Sequence, residues 1–196
     1  MNPLMYMRYS DQLKHDLLQH QGIMQILHAL YAIDTQAYLA AGVVRNLIWS
    51  QRHQQLYVLE GTEVDVIYYA EHDDGTQGQR IQQQMQLNFP HIHWDVTNQA
   101  TVHQWYRLDN GDSILPITSI SHALSLWVET ATAVAVRLNE LDQVEIVAPF
   151  GLADLFELKL RWNSTLVSRA TFLQRIEEKQ FLQRWPKLKL LMTPEA

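Results

Sequence analysis

The sequence predicts an α+β fold, with a mixed central sheet and flanking helices in a single domain. Three features point there. Short β-branched or aromatic runs, TEVDVIYY (62–69), IHWDVT (92–97), ATAVAVRL (131–138) and VEIVA (144–148), read as strands. Stretches with apolar residues at helical spacing separate them irregularly, which disfavours a strictly parallel sheet with one helix per strand. At 196 residues and 47% apolar composition, the chain can bury one substantial core. Residues 1–196 are therefore read as one domain, with 1–34 forming N-terminal helices packed on it.

Taken in order, Ser10 is a candidate helix cap. Leu13, Leu17 and Leu18, then Ile23, Ile26, Leu27 and Leu30, recur at helical spacing on either side of Gly22, so two short helices are expected. The apolar run Tyr38 to Ala41 ends at Gly42, and a helix follows from Val43 to about Gln51, with Val44, Leu47 and Ile48 on one side. After strand 62–69, a polar turn leads into a glutamine-rich helix ended by Pro90. Its Gln82 to Gln86 stretch is expected to be a solvated face. Asn98 is placed to cap a helix running to Tyr106, and Ser119 or Ser121 to start one ending near Trp127. A turn at Asn139 to Asp142 separates the last two strands. Gly151 opens a short helix, and a long final helix is expected from Ser168 to Arg184, stopping before Pro186. Trp94, Trp127, Trp162 and Trp185 are expected to anchor packing.

Composition excludes several function classes. The formal net charge is −6 with no long basic run, so general nucleic-acid binding is not expected. The absence of cysteine removes disulfides, thiolate catalysis and thiolate-bound zinc. The N-terminus lacks a basic-then-apolar leader, and no apolar run approaches the roughly 20 residues that cross a bilayer. A cytoplasmic chain without a membrane partner is the expectation.

Two constellations carry chemistry. On a strand, Glu63 and Asp65 point the same way, about 7 Å apart. Paired carboxylates repel unless solvated or bridged by a cation, and Mg²⁺ (or Mn²⁺) prefers such oxygen ligands. Taken alone, the pair is also what a solvated strand edge carries. The second is Ala41-Gly42-Val43-Val44-Arg45-Asn46, a glycine turn between strand and helix. There, backbone N–H groups can meet a phosphate and the helix dipole favours the anion. Gly42 and Val43 would supply the turn, Arg45 would reach a phosphate oxygen, and Asn46 would bind phosphate or orient a carboxylate. The bland alternative is a tight turn with Arg45 on the surface.

The segments AGVVRNLIW (41–49), EVDVIYY (63–69), WDVTNQA (94–100), ETATAVAVRL (129–138), EIVAPFGLADLFEL (145–158) and FLQRWPKL (181–188) follow one another in this chain. In this order they resemble bacterial nucleotidyltransferase family proteins, a branch of the DNA polymerase β-like nucleotidyltransferase superfamily. The resemblance covers about 150 residues. It implies a polymerase β-like nucleotidyltransferase fold, a metal-bound nucleoside triphosphate, and transfer of its nucleoside monophosphate to an acceptor hydroxyl of a small molecule or protein. Gly42 falls at the phosphate turn, and Glu63 and Asp65 at the first two metal ligands. The third carboxylate is Asp95 by preference, serving as metal ligand and possible base, with Glu145 as the alternative; Asp154 is read as a cap or salt-bridge partner. Arg137 is expected at a phosphate or in an ion pair.

Three departures from the superfamily pattern bear on catalysis more than on fold. Val43 stands where Ser or Gly usually follows the turn glycine. The Gly42 to Glu63 gap is longer than usual, and the first ligand is Glu rather than Asp. They keep open a non-catalytic binding or interaction module of the same fold. A metallohydrolase using His91, His93 and Asp95 on one strand face is a further rival, although no other histidine cluster supplies the remaining ligands.

Overall fold

The computed structural model describes residues 3–192. Helices α1 (Pro3–Gln19) and α2 (Gln21–Ile33) open the chain. His20 separates them, and its Nδ1 accepts from the Ile23 N–H at 3.2 Å, capping α2. Ile23, Ile26, Leu27 and Leu30 form the buried stripe of α2, as their spacing requires. Ser10 lies inside α1 rather than capping it, because the helix begins about two turns upstream, at a proline that suits a first helical position.

Strands β1 (Tyr38–Ala40), β2 (Glu63–Tyr68), β3 (His93–Asn98), β4 (Ala135–Leu138) and β5 (Val144–Val147) make one sheet in the order β3-β2-β1-β4-β5. The β2–β3 pair is parallel and the other pairings are antiparallel, so the sheet is mixed as expected. The parallel step follows from the connection: helix α4 (Thr76–Asn88) carries the chain back across the sheet between β2 and β3. Helix α3 (Gly42–Arg52) leaves directly from β1.

Alternation along each strand divides the molecule. Val64, Val66 and Tyr68 of β2, with Leu39 and Val136, enter the main core beside α1, α2 and α4. On the opposite face, Tyr38, Ala40, Ile67 and Ala135 meet Leu124 of α6 (Ile120–Ser125), a helix capped by the Ser119 hydroxyl. Glu63 and Asp65 stand on that second face.

Three expectations are corrected. Only the second half of 131–138 is strand; Thr130–Thr132 forms a 3₁₀ turn, in which the Thr130 hydroxyl donates to Asp154 Oδ2 at 2.7 Å. The short partner β1 gives the earlier residues no ladder to join. The final helix is broken into α8 (Arg169–Glu178) and α9 (Phe181–Arg184), because Gln180 adopts a left-handed φ of +52°. That break turns Phe181 and Trp185 inward onto Trp49, with ring centroids 5.7 and 5.2 Å from it. Full burial of each such ring contributes about 1.5–3 kcal/mol. Finally, β6 (Lys159–Arg161) and β7 (Lys189–Leu191) pair in parallel as a separate two-stranded sheet that their short sequences did not announce.

Asn98 caps the 3₁₀ turn Gln99–Thr101 that runs into α5 (Val102–Trp105), and Ala153–Phe156 forms α7. Trp94 and Trp185 are buried, whereas Trp127 and Trp162 are half-buried. Among the described residues, no helix is long and apolar enough to cross a membrane.

Candidate active site

A cavity of about 660 Å³ opens on the second face of the sheet, within the size range of small-molecule sites. Glu63, Asp65 and Asp95 all line it. The parallel register sets Asp65 directly beside Asp95, one interstrand step or about 4.8 Å away, with Glu63 two residues earlier on β2. Gly42 lines the same wall, and its N–H donates to Asp65 Oδ2 at 3.4 Å. Beyond Asp95 the lining continues through Thr97 of β3 and Gln99 of the following 3₁₀ turn to an apolar end containing Trp105, Tyr106, Ile117 and Trp127.

Electrostatics mark the acidic wall. Burial pushes the Asp65 carboxyl above the ordinary range; the Gly42 N–H opposes this, and the Glu63 and Asp95 charges add to it. The Thr97 hydroxyl donates to Asp95 Oδ1 at 3.2 Å. Nζ of Lys179, the C-cap residue of α8, lies 3.6 Å from Glu63 Oε2. Among the described residues, no group of three or more acidic or histidine side chains stands close enough together to hold a metal ion. The acids are instead an open set of hard oxygen donors on one wall, with mutual repulsion that a divalent cation would relieve.

The turn before α3 is strained. Ala41 has φ +50° and ψ −112°, a backbone region favoured by glycine, and its N–H donates to Val134 O at 3.1 Å. A Cβ on Gly42 would meet Arg45 Nη2 and Asp65 Oδ2 at 3.6 Å and Glu63 O at 3.8 Å. With no side chain at position 42, the backbone of the turn packs close to Asp65 and Glu63.

A family model described as Nucleotidyltransferase matches residues 33–190. The chain belongs to the nucleotidyltransferase family. An NMR structure described as revealing a CCA-adding enzyme head domain superposes with a TM-score of 0.77 over 93% of this chain and 96% of that one, at 23% identity. A CCA-adding enzyme complexed with ATP gives 0.59 at 16% identity, covering 92% of this chain and 42% of that one. The Thermotoga maritima CCA-adding enzyme complexed with tRNA gives 0.54 at 15% identity, covering 93% and 42%. The chain thus spans less than half the length of those two enzymes, and these likenesses establish the nucleotidyltransferase head-domain fold. No curated protein matches the sequence.

Within this nucleotidyltransferase fold, the expected residues divide. Glu63, Asp65, Asp95, Gly42, Arg45 and Asn46 all line the cavity. Arg45 is not the surface side chain of the bland reading, nor does it reach freely outward. It is 7% exposed, donates through Nε and Nη2 to Asn46 Oδ1 at 3.1 and 3.0 Å, and lies 4.6 Å from the Phe181 ring centroid. Burial, with nearby Arg175 and Arg184, lowers its pKa to about 10. Val43 packs its side chain in the core, which leaves its backbone as what it can offer a ligand. Glu145 pairs with Arg137 at 2.9 Å on β4–β5 and does not line the cavity. Asp154 is buried against Arg161 at 2.7 Å. His91 and His93 are exposed at the start of β3 and do not line the cavity, so the histidine-based hydrolase gains no further ligands.

Sequence reasoning missed the basic residues of the cavity. Arg175, Lys179 and Arg184 line the cavity from α8 and α9, and Glu129, 1% exposed, holds Arg175 Nε at 2.7 Å. The i, i+4 spacing of Arg175 and Lys179 was the available signal, but it reads equally as a solvated helix face. Beside Glu129, the buried Thr132 hydroxyl has no hydrogen-bond partner among the described residues.

Proposed function

We propose that this protein is a metal-dependent nucleotidyltransferase that moves a nucleoside monophosphate from a nucleoside triphosphate to an acceptor hydroxyl. The observation that carries this reading is the juxtaposition of Glu63, Asp65 and Asp95 with the Gly42 turn on one cavity wall. Glu63, Asp65 and Asp95 would hold Mg²⁺ or Mn²⁺. Such an ion supplies charge neutralisation at the reacting phosphate and acidifies the acceptor hydroxyl. A phosphate at the Gly42 turn would take over the N–H that Asp65 Oδ2 now accepts, at the start of an 11-residue helix whose dipole favours an anion. Arg45 and Asn46 brace that turn from beneath through their mutual hydrogen bonds. Asp95, exposed on the cavity wall, accepts the proton of the acceptor hydroxyl as its oxygen attacks the α-phosphorus and pyrophosphate leaves. The apolar end takes the sugar and base. The acceptor is a small molecule or a protein.

Isothermal titration with each nucleoside triphosphate plus Mg²⁺ tests the reading. Binding that Asp65→Ala abolishes supports it; no heat with any nucleotide overturns it. The Lys179–Glu63 contact favours a second reading, a nucleotide-binding module without transfer, in which an ammonium group occupies one proposed ligand. Release of radiolabelled pyrophosphate in an acceptor screen separates the two.

A further inference from the structure

The family reading brings a triphosphate to the Gly42 turn, yet that turn lacks the side-chain hydroxyl that a serine at position 43 would give. A second wall of the cavity has the charge for this task. Arg175 lies in the last turn of α8 and Lys179 caps that helix four residues on, and Arg184 comes from α9, beyond the left-handed Gln180 that redirects the chain. All three line the same cavity as the acidic wall, in a protein whose formal net charge is −6. They are not placed there by ion pairing alone. Glu129 answers Arg175 at 2.7 Å, and Lys179 sits 3.6 Å from Glu63. Arg184 has no carboxylate within ion-pair distance among the described residues; its guanidinium lies 4.4 Å from the Trp185 ring centroid. The buried Arg45 lies close enough to Arg175 and Arg184 to be perturbed by both charges. In the same lining, Arg45, Arg175, Lys179 and Arg184 are balanced by Glu63, Asp65, Asp95 and Glu129; a divalent cation on the wall acids would leave these basic groups to be answered by an anion.

We infer that Lys179, Arg184 and Arg175 form the subsite for the terminal phosphates of the triphosphate, taking over a contact that the Gly42-Val43 turn cannot make. This rests on the nucleotidyltransferase reading for the position of the α-phosphate, but the anion site itself is independent of transfer. Lys179 exchanges its Glu63 contact for a phosphate oxygen, which frees Glu63 for a cation. Arg175 stays anchored by Glu129, and Arg184 donates a two-pronged hydrogen bond to a phosphate. The ligand class is an inorganic or nucleoside polyphosphate, so affinity falls with added salt and depends little on the base.

The test is titration calorimetry of the full chain with inorganic tripolyphosphate, without metal and at several salt concentrations. Lys179 and Arg184 are exposed side chains, so K179Q/R184Q is expected to melt at the wild-type temperature. The double variant should bind tripolyphosphate at least about tenfold more weakly and show a shallower salt dependence, whereas Lys189→Gln, an exposed charge outside the cavity, should match the wild type. Equal affinity in wild type and K179Q/R184Q overturns the subsite, as does an equal loss in Lys189→Gln. Asp65→Asn separates the two readings. Retained tripolyphosphate binding in D65N, lost in K179Q/R184Q, establishes the subsite even if no transfer is ever detected.

Discussion

Asp65 and Asp95 are register partners on the parallel β2–β3 pair, and both face the cavity that the Gly42 turn borders. Two carboxylates one strand apart in a partly closed space are an electrostatic liability. The raised pKa of Asp65 expresses that cost, with burial as its largest cause.

Asp65→Asn should therefore separate stability from function. A carboxyl whose folded pKa exceeds its unfolded value carries no penalty below the unfolded value. The penalty grows as pH rises and is complete above the folded value. The asparagine variant is expected to melt higher than wild type at pH 7, with the gain vanishing at low pH where both side chains are neutral. On the proposed function, the same variant should lose about 100-fold or more in transfer, since removing the proposed metal ligand takes away several kcal/mol of charge stabilisation. Thermal melts across pH 3–8, paired with pyrophosphate release, check both halves.

Gly42→Ala is expected to leave the fold intact while weakening nucleotide binding. Its Cβ would meet neighbours at ordinary contact distances of 3.6–3.8 Å, so no strain is introduced. The methyl group would nevertheless occupy the approach to the turn's N–H groups. A melting temperature near that of wild type with at least about tenfold weaker nucleotide affinity is the expected pair of results.

Ala41→Gly probes the strained residue one position earlier. At φ +50° and ψ −112°, alanine holds a backbone conformation that costs about 1–3 kcal/mol, against a glycine entropy cost of about 0.5–1 kcal/mol. Chemical denaturation should show the variant equal to or more stable than wild type. A loss of more than about 1 kcal/mol would mean that the turn is not strained.

Asp154→Ala should be the most destabilising of these changes. Asp154 Oδ2 accepts from both Arg161 Nε and Thr130 Oγ1 at 2.7 Å, in side chains 7–10% exposed at the ion pair. Removing the carboxylate strands a buried guanidinium without that partner, at a cost of about 3–5 kcal/mol. Urea denaturation reads the loss directly, and Asp154→Asn, which keeps an acceptor, should lose less.

Local patterns were legible where one residue's neighbours in sequence are also its neighbours in space. The β2 alternation placed Glu63 and Asp65 on one face, and the Ser119 and Asn98 caps began their helices as their side chains predict. The preference for Asp95 over Glu145 could only be expressed as a preference, because both lie on strands with suitable neighbours. The parallel register puts Asp95 beside Asp65, while the antiparallel β4–β5 pairing gives Glu145 to Arg137. Burial of Arg45 escaped prediction for a similar reason. Its aromatic neighbours Phe181 and Trp185 are more than 130 residues away and reach it only because Gln180 breaks the final helix.

The sequence by itself determined the strand–turn–helix at Gly42, the acidic face of β2 and the mixed α+β class, since periodicity and glycine act over a few residues. Only the tertiary structure decided which third acid joins that face, that Arg45 lies beneath the turn, and that Arg175, Lys179 and Arg184 line the same cavity. Charges do not attract along the chain but through space, and the packing of distant elements sets those distances.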